Sequence, residues 1–358
     1  MNQHLPPWSI AVPLAACALL AAIWGLPANG MISCLAGLTL ISAVLVAVHH
    51  AEVIAHRVGE PFGALVLALA VTIIEASLIV SMMLAGGEDS AALARDTVYA
   101  TVMIVCNGVI GLCLLLGGIR HKVIDFRVEG TLPALAVLTT LVTLTLILPM
   151  YTSSTSGPTY TATQLGFSAV VSLALWGIFV FVQTVRHRDY FIAGNSPASH
   201  AHQPPPATLT AVASLGLLLP ALVAVVGLAK VLAPSIEAAV DGAGMPNAVV
   251  GIVIAMIVLL PETLSAVRAA RANLMQNSFN LALGSGLATI GLTIPAVAIL
   301  SISLDIPLAL GLPAKETALM VLTLLLTAMT LSGGRATVLQ GANHLVVFAV
   351  FLFLAMVP

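Results

Sequence analysis

Residues 64–84 read ALVLALAVTIIEASLIVSMML, an apolar run interrupted by a single charge, Glu75, at its middle. About 20 apolar residues is the length a helix needs to cross the hydrocarbon core, and a helix satisfies its own backbone polar groups there. Glu75 has about ten apolar or small residues on either side, so its carboxylate cannot snorkel to the headgroups. An acid at the centre of such a helix costs about 2.5–3.5 kcal/mol on insertion scales, and its place calls for a compensating reason.

The rest of the chain has the same character. Of 358 residues 60% are apolar and 7% charged, against roughly 25% charged in soluble domains. Too few polar residues exist to cover a water-facing surface, so the chain is expected to be an all-α membrane protein embedded in the lipid bilayer. Eleven segments qualify as spans: 8–26, 29–49, 62–85, 97–118, 131–150, 164–185, 208–232, 246–267, 277–303, 315–332 and 338–357. The first lacks a basic leader and precedes no soluble domain, which reads as a span rather than a cleaved signal. Cys17, Cys34, Cys106 and Cys113 lie in apolar runs without metal-ligand spacing and read as packing residues. A net charge of -2, with no basic patch or phosphate-binding glycine loop, excludes nucleic acid as a partner class.

Lys and Arg orient the spans. With the N-terminus on one side, that side's connections hold Arg57, Arg120, Lys122, Arg127, Arg186, Arg188, Arg268, Arg271 and Arg335, nine in all, against Arg95, Lys230 and Lys315 opposite. The richer side is expected to be cytoplasmic, in a cell inner membrane, with the C-terminus outside. The third span then runs outward and the eighth inward. The eighth, VVGIVIAMIVLLPETLSAVRAA at 249–270, carries the second intramembrane acid, Glu262, so the two glutamates sit in oppositely oriented segments.

Each glutamate has two readings: a neutral, protonated side chain bonded to a neighbouring helix, or a carboxylate that holds a cation and takes a proton when the cation leaves. Recurrence of the same placement 187 positions apart (262 minus 75) favours the second. The surroundings suit a hard cation, which takes oxygen ligands. Thr72 and Ser265 lie about one turn from Glu75 and Glu262 and can share their faces. Pro261 has no N–H and should loosen the helix, freeing the Ile257 carbonyl. Asn107 in the fourth span, and Asn280 and Ser285 in the ninth, read equally as helix–helix glue or as further ligands; Asn277 reads as solvated. The small residues Gly108, Gly284 and Gly286 would let helices approach closely.

Three stretches resemble the calcium/cation antiporter superfamily, within it the calcium/proton exchangers, and among these the bacterial ChaA-type calcium (sodium, potassium)/proton antiporters. They are HHAEVIAHRVGEPFGALVLALAVTIIEASL (49–78), LLPETLSAVRAARANLMQNSFNLALGSGLATIGLTIP (259–295) and SGGRATVLQGANHLVVF (332–348). The resemblance covers nearly all of the chain after the first span. It implies two inverted five-helix repeats, 29–185 with Glu75 and 208–358 with Glu262, an extra N-terminal helix at 1–28, and a cytoplasmic linker at 186–207. It also implies a secondary transporter exporting calcium in exchange for protons by alternating access, with Glu75 and Glu262 as the essential acids of one shared site and Asn107 and Ser285 at polar positions of the flanking helices. The transported Ca2+ and H+ are cargo, and no resident cofactor is implied. The sequence departs from vacuolar relatives, which carry Gly-Asn-Ala-Thr-Glu and Gly-Asn-Ala-Ala-Glu where this chain has VTIIE (71–75) and VLLPE (258–262), and the glutamine often following in the second repeat is Ala288. Fewer side-chain ligands remain, which leaves sodium or potassium open as cargo.

The remaining histidines divide by place. His49, His50, Glu52, His56, Arg57 and Glu60 read as a solvated helix end, with proton sensing as the alternative. His187, His200 and His202 fall in the linker, read as flexible rather than as a metal or pH sensor. His344 reads as a buried hydrogen-bonding residue. A passive cation channel is the competing function. An intramembrane enzyme is disfavoured: HExxH is absent, and Gly284-Ser285-Gly286 is not the GxSxG arrangement.

Overall fold

A computed structural model describes residues 5–26, 29–59, 62–86, 91–191 and 206–357. Almost all of them are helical. Every expected span falls on a helix. Among the described residues eight helices are long and apolar enough to cross a membrane, one further pair of helices passes the same length and apolarity test only together and is bent sharply at its join, and two apolar helices, Pro7–Ile23 and Leu69–Met83 within Phe62–Gly86, are shorter. The chain is a multi-pass membrane protein.

The described residues group into two compact units. The first holds α1 (Pro7–Ile23), α2 (Gly30–Val58), α3 (Phe62–Gly86) and α8 (Thr208–Gly242). α2 and α8 run antiparallel: Ser33 near the start of α2 meets Ser235 near the end of α8, Oγ to Oγ 2.8 Å, while Arg57 near the end of α2 donates to Thr208 Oγ1 at 2.7 Å. Alanines at 36, 43 and 47 on α2 and at 221 and 224 on α8 are fully buried, and such small residues let two backbones approach where no hydrophobic force drives helix pairing. α1 is tied on by Cys17 Sγ donating to the Pro220 carbonyl at 3.2 Å, and by His50 Nε2 at 2.9 Å from the Ser9 carbonyl. Two expectations change here. His50 is fully buried under α1 and the His49 ring packs tilted against Trp8, so the solvated end of α2 begins only at Glu52. Cys34 is exposed and packs no core. Glu60 lies outside the described residues.

The second unit holds α4 (Leu93–Met103), α5 (Ile110–His121), α6 (Val128–Val142), α7 (Ala162–Phe181), α10 (Leu260–Arg271), α11 (Met275–Ala288), α12 (Ile294–Leu304), α13 (Ala314–Ser332), α14 (Val338–Met356) and most of α9 (Ala248–Val258). α4 continues into α5 through a π-helical segment, Ile104–Val109, and α11 into α12 through another, Thr289–Thr293. Such π turns shift side chains around the helix axis and recur at functional sites. α5 and α14 meet at glycines: a Cβ on Gly341 would lie 2.5 Å from the Leu115 nitrogen, and one on Gly118 2.8 Å from the Val338 nitrogen. A two-residue antiparallel pairing joins β1 (Ile124–Asp125) to β2 (Arg335–Ala336).

The connection after α7 is ordered at its start. A π turn, Val182–Arg186, and a 3-10 turn, Arg188–Tyr190, lead to Phe191, which is buried against Phe179. Arg127 donates to the Asp189 carbonyl, and His187 stacks on Tyr190 with ring centroids 4.9 Å apart. Residues 186–191 are therefore a docked strap rather than free linker, because the Asp189 carbonyl accepts from Arg127, just before α6, and the Phe191 carbonyl from Asn280 of α11. His200 and His202 lie outside the described residues.

Candidate cation and proton site

Glu75 lies in the middle of α3 and is 2% exposed. Thr72, one turn earlier, shares its face and is buried, with a hydroxyl that has no hydrogen-bond partner among the described residues. Ile73 on the other side of the helix is half exposed. One face of α3 thus carries a carboxylate and an open hydroxyl inward, and the other is apolar and turned outward.

Glu262 has a different setting. α9 and α10 form an apolar helix pair bent by 55° at Leu259. Pro261 sits in the first turn of α10, where its missing N–H is tolerated, and withholds the donor that Ile257 O would receive in an unbroken helix. Across the break, Leu259 N donates to Ala255 O at 2.9 Å, and Thr263 uses both its N–H (2.9 Å) and its hydroxyl (2.7 Å) on Leu259 O. The break puts Glu262 in the first turn of a half-helix, half-buried, with Ser265 also half-buried one turn on. The N–H groups of such a turn are open to an anion.

α10 and α11 form a hairpin through Asn273, which adopts the left-handed region at φ 61°. Ser278 Oγ donates to Ala266 O at 2.7 Å and fixes their register. From that level Glu262 lies four positions back on α10, about 6 Å, and Ser285 seven positions on along α11, about 10 Å, at 1.5 Å per residue. Ser285 therefore falls roughly one turn beyond Glu262 in the same unit, half-buried, beside Gly284, whose Cβ position is open space. Asn277 is exposed, as its place in the sequence implied.

The two asparagines are engaged by protein. Asn280 donates through Nδ2 to Phe191 O and accepts from Gln276 Nε2 at 3.1 Å, so it holds the strap. Asn107 lies within the Ile104–Val109 π segment and is fully buried; its Nδ2 donates to Thr323 Oγ1 at 2.8 Å, and its Oδ1 accepts from His344 Nδ1 at 3.1 Å. That bond makes His344 Nε2 the acceptor for the Thr330 hydroxyl, 3.1 Å away. His344 is buried and hydrogen-bonded on both nitrogens, as expected, and Asn107 joins α13 and α14 to its own span.

Sequence reasoning missed Gln276, which is buried and accepts from Arg127 N at 2.9 Å, and Thr263, Thr323 and Thr330. Thr263 was the one legible signal, since an intramembrane threonine commonly turns its hydroxyl back onto the carbonyl four residues earlier, here Leu259.

The family described as sodium/calcium exchanger protein matches residues 28–185 and 213–357. The chain is 49% identical over 365 residues to the Sinorhizobium fredii protein y4hA, whose name proposes ionic transport, covering 100% of this chain and 98% of that one. It is 36% identical over 351 residues to the Escherichia coli sodium-potassium/proton antiporter ChaA, covering 96% of this chain and 94% of that one. Among solved structures, native YfkE superposes with a TM-score of 0.74 at 17% identity, over 98% of this chain and 100% of that one. The H+/Ca2+ exchanger CAX superposes with a TM-score of 0.68 at 17% identity, over 96% of this chain and 86% of that one.

Proposed function

The chain belongs to the sodium/calcium exchanger protein family, and on that premise we propose that it exchanges a cation for protons through Glu75 and Glu262. The observation that carries the reading is the burial of Glu75 in the middle of an apolar helix together with the placement of Glu262 at a proline break. A carboxylate in such surroundings needs a counter-charge, and a bound cation or a bound proton supplies it, never both at full strength. Competition for the same oxygens couples the two fluxes. Thr72 beside Glu75 in the first unit, and the Ile257 carbonyl, Ser265 and Ser285 in the second unit with Glu262, are the further oxygens we assign to the cation.

Calcium is the first cargo considered, with sodium and potassium beside it. The relatives differ on this point: ChaA is named for sodium and potassium, CAX for calcium. We place the chain in a cell inner membrane; the nine-to-three distribution of Lys and Arg supports a cytoplasmic N-terminus there. Two inverted repeats, 29–185 and 208–358, would each supply one glutamate; the similar π-interrupted spans α4–α5 and α11–α12 support this division. A proton gradient directed inward would then drive cation export.

In everted vesicles, Glu75→Gln and Glu262→Gln should each abolish cation-driven proton flux while the protein remains folded and inserted. Unchanged flux in either variant would remove that residue from the mechanism. Titrating purified protein with calcium, sodium and potassium in turn, and measuring protons released, identifies the cargo.

A further inference from the structure

In the second unit α5 and α10 finish side by side. His121 Nε2 donates to Arg271 O at 3.3 Å, and a Cβ on Gly117 would lie 3.6 Å from Ala270 O. Gly117 and His121, four apart, therefore mark the side of α5 that faces α10. Gly118 marks the side that faces α14, and Ile119, 66% exposed, marks the open side. At about 100° of turn per residue, Arg120 falls between the open side and the α10 side, along the seam of the two helices. On α10 the exposed residues are Leu264, Arg268 and Arg271, spaced four and three apart on one face. Each helix thus passes from an exposed aliphatic residue to exposed cations as it ends: Ile119 to Arg120 and Lys122, Leu264 to Arg268 and Arg271.

These four cations are not used by the fold. Arg335 pairs with Asp125 Oδ1 at 2.8 Å, and Arg127 donates to the Asp189 carbonyl. The side chains of Arg120, Lys122, Arg268 and Arg271, by contrast, make no hydrogen bond or ion pair among the described residues. A cation at the end of a helix commonly bonds its last carbonyls, but most of those are already taken. Lys122 N donates to Gly118 O at 2.8 Å and Val123 N to His121 O at 2.9 Å. Ala272 N donates to Arg268 O at 3.1 Å, Leu274 N to Ala269 O at 2.9 Å and Asn273 N to Ala270 O at 3.1 Å, with the His121 ring on Arg271 O. Carboxylates do not offset the charge either. α5 has none, and Glu262, the one acid of α10, is nine positions from Arg271 (271 minus 262), about 13 Å along the helix.

We propose that the seam between the ends of α5 and α10 binds an anionic phospholipid, its phosphate on Arg120, Lys122, Arg268 and Arg271 and its acyl chains against Ile119 and Leu264. A soluble anion would use the cations and leave the exposed aliphatic residues uncovered, whereas a lipid uses both. Basic pockets between membrane helices suit anionic headgroups, and each Lys or Arg near such a surface adds to the attraction. Arginine presents paired N–H groups to phosphate oxygens, and lysine a compact charge. A lipid held there ties the last turn of α10 to α5. It therefore steadies the half-helix whose first turn carries Glu262.

Binding is read on the purified full-length protein by native mass spectrometry, titrated with phosphatidylglycerol and, separately, with phosphatidylcholine. A basic residue at an anionic lipid surface is worth about fivefold in affinity, so Arg120→Gln combined with Arg271→Gln should weaken phosphatidylglycerol binding about 25-fold. Arg335→Gln, which removes a guanidinium already held by Asp125, should change it by no more than about twofold. Equal retention of the two lipids by wild-type protein, or unchanged phosphatidylglycerol binding in the double variant, overturns the site. Displacement of the lipid by an equal concentration of inorganic phosphate also overturns it, since that marks a site for a soluble anion. The effect on α10 rests on the exchange reading and is read as cation-driven proton flux in phosphatidylcholine vesicles with and without phosphatidylglycerol. The anionic lipid should raise flux several-fold in wild type and not in the double variant; flux that ignores the lipid, or responds in both proteins, refutes the tie to α10. If no lipid supports flux, the exchange reading fails, and binding, which needs no flux, still decides the site.

Discussion

Pro261→Ala tests whether the backbone at the break is a ligand. Alanine restores an N–H that can donate to Ile257 O, four residues back, and removes the ring that holds the 55° bend. One backbone hydrogen bond is worth about 1 kcal/mol net, and because proline is tolerated in a first turn the larger penalty of an interior proline does not apply. The variant should therefore gain about 1 kcal/mol in stability. Its cation binding should weaken, because the carbonyl now has a donor and no longer faces the ion. Interactions of a dipole with a full charge are worth about 1.5–3 kcal/mol, so the lower figure corresponds to about a tenfold loss of affinity. At saturating cation, that loss should cut the cation-induced stabilisation by about 1.4 kcal/mol. The assay is chemical or thermal unfolding in detergent, with and without each cation, beside direct titration of binding. Raised stability with unchanged affinity would refute Ile257 as a ligand. Lowered stability would show that packing, rather than the proline, holds the bend.

His344→Ala should cost about 1–2 kcal/mol, since it strands the Asn107 carbonyl and the Thr330 hydroxyl, and intramembrane hydrogen bonds average about 0.6 kcal/mol each before any desolvation penalty; unfolding in detergent measures it. Gly341→Ala should destabilise by about 1–3 kcal/mol, because the new Cβ meets the backbone of Leu115 and Gly111, which can yield only if α5 and α14 separate. Tyr160, in the connection before α7, donates to Leu144 O at 2.7 Å, and burial pushes its hydroxyl above the ordinary 10.0. The bond's contribution is complete below that ordinary value and is lost as pH rises through the folded-state value, so Tyr160→Phe should flatten the alkaline end of the stability profile.

Hydropathy located the spans because lipid imposes one simple demand, but it misjudged where helices stop. The span expected at 29–49 continues to Val58, and the one expected at 208–232 continues to Gly242. A hydropathy window registers where lipid ends, whereas a helix continues for as long as its backbone bonds are satisfied. Glu75 and Glu262 were legible for the same reason the spans were, since a charge in hydrocarbon is costly wherever it lies. Asn107 was not. Its partners Thr323 and His344 lie 216 and 237 positions away, and nothing local distinguishes an asparagine that joins helices from one that faces an ion.

The same comparison bears on the cargo. Where vacuolar relatives carry an amide three positions before each glutamate, this chain has Thr72 and Leu259, and the structure shows what each can still give. Thr72 retains one open hydroxyl beside Glu75. Leu259 offers only its carbonyl, already taken twice by Thr263. In the proposed reading the second unit draws instead on the Ile257 carbonyl, which the proline deprives of its helical donor, and on the hydroxyls of Ser265 and Ser285. Backbone has replaced side chain beside Glu262 and a hydroxyl has replaced an amide beside Glu75, so the oxygens near each carboxylate are few and mostly neutral. Calcium takes six to eight oxygens and gains most from several charged ones. A monovalent ion loses less from a thin set, because less hydration has to be replaced. Under the proposed reading, adding an amide oxygen by Leu259→Asn should strengthen calcium binding relative to sodium and potassium, and unchanged relative affinities in a titration with the three cations would refute the link.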